Sequence, residues 1–267
     1  MPSSLKVTSN KILLAAAFGT AFSLSPVAVR AQSTVTISSP VADAFVANGT
    51  NGSLANLNFG SAGTLAISPA SSAKGEFDSL VEFNTGMAFS QFNSLYGAGN
   101  WTITGVKLSL ASNFPTQGQQ PNNGLFNTIN TGSFGIDWLD SNNWSEGSGG
   151  GMGSTGGGVT FNSIPGLLAG GYDSLGDYTY NPPGNGNYVN YSLQLDSGLL
   201  SAIDTGGNVS LYFYAADNQI GYLFNSREFG SNHPEFILTA TPVPEPGTLA
   251  LWAAGGWFAL WRARKAK

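Results

Sequence analysis

Between residues 77 and 213, apolar side chains return at every second position in one segment after another, a pattern that commits the chain to half-buried strands. Val106, Leu108 and Leu110 alternate with Gly105, Lys107 and Ser109, and Val189, Tyr191, Leu193 and Leu195 with Asn190, Ser192, Gln194 and Asp196. The same holds for Phe77, Val81 and Phe83 against Glu76, Asp78 and Glu82, for Phe134, Ile136 and Trp138, and for Val209, Leu211 and Phe213. Successive side chains of an extended backbone point to opposite faces, so each segment is expected to bury one face and wet the other. Asn, Pro and 36 glycines supply the turns between them. A single open sheet would leave its second face and its edges wet. The expected fold is therefore all-β, an antiparallel β-sandwich of jelly-roll type.

One short helix is expected at Ser197 to Ile203, where Leu199, Leu200 and Ile203 share a face and Gly206-Gly207 ends it. Residues 147–158 are nearly all Gly and Ser and read as a flexible surface loop within a single domain spanning 32–242.

Both ends depart from this pattern. Residues 1–31 have the three parts of a secretory signal peptide: Lys6 and Lys11, the apolar run Ile12 to Leu24, and small residues before a cleavage expected between Ala31 and Gln32. At the other end Val243-Pro244-Glu245-Pro246 precedes an apolar run over 247–261 and the cations Arg262, Arg264, Lys265 and Lys267. The prolines stop helix continuation from the domain, so the run stands as a separate transmembrane helix of about 22 Å at ~1.5 Å per residue. That is short of a ~30 Å hydrocarbon core but workable with local thinning and interfacial tryptophans. The basic cluster would stay cytoplasmic and the domain outside.

Pro-Glu-Pro, a short apolar helix and a terminal Arg/Lys cluster, here spanning 243–267, resemble the PEP-CTERM sorting signal. The resemblance implies a transient stay in the inner membrane of a Gram-negative, exopolysaccharide-producing cell. It also implies cutting near Pro244-Glu245-Pro246 by an exosortase-type processing enzyme, and delivery of the body to the cell surface or extracellular matrix. A second resemblance covers the body. Asp43-Ala44-Phe45-Val46, Asn58-Phe59-Gly60, Leu80-Val81-Glu82-Phe83, Asn143-Trp144-Ser145-Glu146-Gly147 and Phe224-Asn225-Ser226-Arg227-Glu228 occur in the order seen in DNRLRE-type extracellular domains. That family is similar to carbohydrate-binding β-sandwich modules.

Charge and composition narrow the chemistry. The body from Gln32 to Val243 keeps only Lys74, Lys107 and Arg227 against fourteen acids, a net −11 that repels phosphate backbones and speaks against nucleic-acid binding. With no Cys there is no disulfide, thiolate metal site or thiol nucleophile. His233 is the only imidazole and stands in a turn, Asn232-His233-Pro234, so a Ser/His/Asp mechanism has one place to pass through and no sign that it does. Glu76, Asp78 and Glu82 share a parity, as a glycosidase pair might, but read as a solvated strand face.

Two ligand classes stay open. Asp137, Asp140, Asn142, Asn143 and Glu146 crowd into ten positions and offer hard oxygens to a structural Ca²⁺, with Asp43 as an alternative anchor; Asp43, Asp140 and Glu146 are the candidate ligands. Without a cation these residues would cap turns. Tyr172, Tyr178, Tyr180 and Tyr188 lie in a Gly/Pro/Asn-rich stretch where exposed rings could stack on sugars, while Trp101, Trp138 and Trp144 read as core. The expectation is a non-enzymatic structural or adhesive protein associated with exopolysaccharide. A carbohydrate-binding module is the alternative, and a polysaccharide-active enzyme comes after it.

Overall fold

The computed structural model describes residues 31–113, 126, 132–180 and 186–243. The expected signal peptide up to residue 30, Pro244 to Pro246, the apolar run and Arg262 and Arg264 lie outside them. Among the described residues no helix is long and apolar enough to cross a membrane.

The described chain is mostly strand: β1 (Ser33–Ile37), β2 (Ala42–Ala47), β3 (Thr64–Ile67), β4 (Phe77–Asn84), β5 (Trp101–Ala111), β6 (Ser133–Leu139), β7 (Tyr172–Thr179), β8 (Tyr188–Ser192), β9 (Asn208–Ala215), β10 (Tyr222–Asn225) and β11 (Glu235–Pro242). All pairings are antiparallel. One sheet has the order β1-β11-β5-β8, a second β2-β4-β9-β6-β7, and β10 pairs with β3 in a two-stranded ribbon.

The two larger sheets share one core, which is why the architecture is sandwich-like. Val106, Leu108 and Leu110 of β5 and Phe236 and Leu238 of β11 belong to the same buried cluster as Val81 and Phe83 of β4, Phe134 and Ile136 of β6, and Leu211 and Phe213 of β9. Phe83 stacks on Phe236 across the sheets with centroids 5.0 Å apart, and Phe134 meets Tyr191 of β8 edge-on at 5.2 Å. The ribbon adds Leu65, Ile67, Tyr222 and Phe224 to this cluster.

Two of the passages from one sheet to the other are helical. The helix α1 (Gly86–Tyr96) links β4 to β5 and buries Ala88 and Phe92. A second helix, α2 (Ile164–Leu168), precedes β7, and α3 (Ser197–Asp204) links β8 to β9. The last falls where the sequence predicts it, capped by Asp196, whose side chain accepts from the Gly198 and Leu199 amides, and it buries Leu199 and Ile203. Gly206, at φ 69°, follows it in the left-handed region that closes such helices.

One expectation is corrected and another gains detail. The Glu76, Asp78, Glu82 face of β4 is not a solvated face: Asp78 and Glu82 are buried. A second small core of Ala44, Val46, Leu80, Leu139, Val159, Ile164, Leu167 and Tyr212 covers that side of the five-stranded sheet, so β4 is enclosed on both faces. The Gly-rich stretch 147–158 is a largely exposed loop without helix or strand, but it is anchored to the domain. It folds back on Asn58, pairing Ser154 with Asn58, and two of its glycines, Gly147 and Gly149, answer a steric demand there. A Cβ on Gly149 would sit 1.8 Å from the Asn58 carbonyl oxygen, and one on Gly147 2.3 Å from its side-chain oxygen. Gly149→Ala should therefore cost about 2 kcal/mol of stability, read as a lowered thermal midpoint, whereas Gly150→Ala, with open space around its Cβ, should cost almost nothing.

Candidate functional site

Asp43 lies on β2 with the parity of Phe45 and Ala47, and it is opposite Val81, a core residue of β4. An aspartate with core parity must find polar company, and it finds it in two distant segments. The Arg227 amide donates to its Oδ2 at 2.8 Å. One carboxylate oxygen from each of Asp43, Glu146 and Glu228 lies within 4.8 Å of the others. Asp43 is wholly buried and its Oδ1 has no hydrogen-bond partner.

Arg227 is the counter-ion of this cluster. Its guanidinium grips Glu146 with two contacts, Nη2–Oε2 at 2.6 Å and Nε–Oε1 at 3.0 Å, and Nε also reaches Glu228 Oε1 at 2.7 Å. Its Nη1 donates to the Val41 carbonyl, which ties the group to the start of β2. Ser226 Oγ lies 3.0 Å from Glu228 Oε2. The guanidinium thus pairs with two of the three carboxyls, and Asp43 meets only the Arg227 amide. Burial pushes Asp43 up to about 8, with the charges of Glu228 and Glu146 adding to the rise and the Arg227 amide opposing it. Glu146 is pushed up to about 7, by burial first and then by Glu228, against the pull of Arg227.

Asn58 sets where Glu146 sits. Its Nδ2 donates to the Glu146 carbonyl at 2.6 Å and the Val159 carbonyl at 2.9 Å, and its Oδ1 accepts from Gly60 and Gly149 amides. Gly60 is obligatory for the same close approach: a Cβ there would come 2.1 Å from the Glu146 carbonyl oxygen.

Of the candidate cation ligands, Asp43 and Glu146 come together and Asp140 does not. Asp140 is exposed at the end of β6, its amide bonded to Gly171 O. Its crowded neighbours disperse as well. Asp137 is buried on β6, and Asn142 donates to Asn208 O and accepts from Ser210 Oγ. Glu228 and Arg227 carry no local signal of this role. Asp43, by contrast, could be singled out as an acid at a core-parity position.

The tyrosines also separate. Tyr180 is fully buried against Tyr222 and Phe224, which removes it as an exposed sugar platform. Tyr178 packs on Phe134 and Tyr191 while its hydroxyl donates to backbone carbonyls, and Tyr188 is half-buried with its hydroxyl on His233 O. Among those four only Tyr172, 54 % exposed, presents a ring to solvent. Trp101 and Trp138 are core residues, and Trp144 donates its indole N–H to Ser210. His233 donates Nε2–H to Phe229 O and holds a turn.

The carboxyls that approach one another are poorly placed for glycoside chemistry, because Asp43 is sealed from solvent and Arg227 fills both oxygens of Glu146. Asp78 and Glu82 are likewise engaged, with Tyr212 and Asn208. The chain matches no family model, and no curated protein matches it.

Proposed function

We propose that the chain is an exported surface or extracellular-matrix protein of a Gram-negative cell, non-enzymatic, with a jelly-roll-like sandwich as its structural or adhesive body. In this reading the signal peptide is removed after Ala31. The C-terminal tail then halts in the inner membrane until an exosortase-type enzyme cuts near Pro244-Glu245-Pro246. One observation supports it: the folded body lies between the two expected processing points, and the described residues next to them, Ala31, Gln32 and Val243, are exposed. β1 begins at Ser33 and β11 ends at Pro242, and the two strands pair, with Ser33 opposite Ala240, so both ends leave the domain side by side. Cutting at either point leaves every strand of the sheets intact.

Replacing Pro244, Glu245 and Pro246 together with Ala should leave the full-length species in the membrane fraction, followed by immunoblot and fractionation. Processing and release at the wild-type rate would count against the sorting reading.

A second reading, recognition of extracellular polysaccharide, is favoured by the outer face of the five-stranded sheet near β7. Tyr172 lies opposite Leu139, and Tyr214 stacks on Tyr212 at 5.7 Å and lies across Gly135, where a Cβ would meet its ring at 2.2 Å. Flat rings beside the exposed Asp177 suit a neutral or amine-bearing glycan better than an acidic one. Tyr172→Ala should abolish retention on the cell's own polysaccharide; retention equal to wild type would remove this face from consideration.

A further inference from the structure

We propose that Asp43, Glu146 and Glu228 bind one Ca²⁺ ion, which ties the edge strand β2 to the segments around residues 146 and 228. The three acids come from sequence positions far apart, yet one oxygen of each lies within 4.8 Å of the other two. Three points so spaced leave a centre no farther than about 2.8 Å from any of them, compatible with the 2.3–2.6 Å of Ca²⁺–oxygen bonds once side chains settle. Asp43 adds an independent sign: it is wholly buried, only its Oδ2 is engaged, and Oδ1 has no partner. A carboxylate oxygen is not left dry without a proton or a cation to meet it.

Charge agrees with geometry. Arg227 offsets one of three negative charges, and a divalent ion would offset the other two. Every side-chain donor is a hard oxygen, and neither sulfur nor imidazole is at hand, which favours Ca²⁺ over zinc or copper. Arg227 and the ion would share Glu146 and Glu228. The guanidinium is 35 % exposed and can turn outward, while the backbone amide of Arg227 keeps its hold on Asp43 Oδ2. Water would complete the shell on the side where Glu228 is exposed. The rival occupant is a proton shared between the carboxyls.

Calorimetric titration of the purified, chelator-treated full chain with CaCl₂ at pH 7.5 distinguishes the two. The expected result is saturation at one Ca²⁺ per chain, with Kd on the order of 10⁻⁴ to 10⁻³ M as in extracellular modules, and a rise in thermal midpoint reversed by chelator. Asp43→Asn and Glu228→Gln should each weaken binding roughly tenfold or more while the protein still folds, because each keeps an oxygen in place at lower charge. Asp140→Asn should bind as wild type does. No heat and no midpoint shift with millimolar Ca²⁺ would overturn the site in favour of the shared proton. Binding that survives both Asp43→Asn and Glu228→Gln would place the ion elsewhere and overturn it equally. Neither result bears on sorting through the C-terminal tail, which is read in cells.

Discussion

Replacing Asn58 with Ala should lower the free energy of unfolding by on the order of 4 kcal/mol and detach the segment from 146 to 159. Asn58 is fully buried and uses all its hydrogen-bonding capacity: both N–H groups donate, to Glu146 O and Val159 O, and Oδ1 accepts twice, from Gly60 and Gly149. Alanine would leave two carbonyls and two amides without partners, each costing about 1–3 kcal/mol, less whatever water recovers. Little water can enter, because the glycines bring backbone within contact of the Asn58 side chain. Asn58→Asp should be no better, since a carboxylate would face two carbonyl oxygens. Urea unfolding gives the magnitude, and limited proteolysis should show new cuts between residues 146 and 159. A loss under about 1 kcal/mol with unchanged proteolysis would mean that the segment is held by its apolar contacts, chiefly Val159 and Ile164, instead.

The same substitution should reach the acidic cluster. Glu146 owes its place to the bond between its carbonyl and Asn58, so a detached segment would withdraw one of the three carboxyls from Asp43 and Glu228. Asn58→Ala should therefore also blunt any response to Ca²⁺, although Asn58 touches no carboxylate of the cluster. This links a stability defect to a binding defect through one named bond.

Alternation made β5, β6 and β9 legible because the main core takes one parity of each, and the shared face of Leu199 and Ile203 did the same for α3. It misled at β4 for a physical reason: acids at every second position signal a wet face only if nothing folds over it, and what covers Asp78 and Glu82 is contributed in part by residues 159–167, some eighty positions away. Helix α1 was not anticipated. Thr85 before it and Gly97 after it are ordinary boundary residues, but it has no acidic residue in its first turn, no basic one in its last, and buries only Ala88 and Phe92, so its apolar face is too narrow to stand out. The acidic cluster was half legible. Asp43 and Glu146 stand out in the sequence as oxygen donors, but nearness in sequence favours Asp140, which the fold leaves apart, and distance hides Glu228. Contacts spanning 81 to 186 positions, such as those of Arg227, leave no trace in local spacing. The tyrosines failed likewise: a Gly- and Pro-rich setting says little about whether a ring such as Tyr180 turns in or out.

Asp78→Asn should leave stability unchanged near pH 4 and raise it by on the order of 4 kcal/mol above pH 8. Asp78 is buried on the outer side of β4, with Oδ2 accepting from the Tyr212 hydroxyl at 2.7 Å and no ion pair among the described residues. Burial pushes its carboxyl from 3.8 up to about 7, with Tyr212 holding it down and Glu76 adding to the rise. The folded chain therefore binds this proton more tightly than the unfolded chain does. Its favourable contribution is complete below about pH 4, fades between about 4 and 7, and is gone above that, at about 1.4 kcal/mol per pH unit. Asparagine keeps an oxygen for Tyr212 and has no charge to bury, so the variant should overtake wild type as the pH climbs. Urea unfolding at pH 4, 6 and 8 tests this, and an equal gain at all three would assign the effect to packing rather than ionisation. The measurement belongs in both chelator and Ca²⁺. Asp43 and Glu146 titrate in the same direction, but an ion held between them would keep both charged and remove their share of the pH dependence. Asp78, on the opposite face of the sheet from Asp43, would keep its own share under either condition.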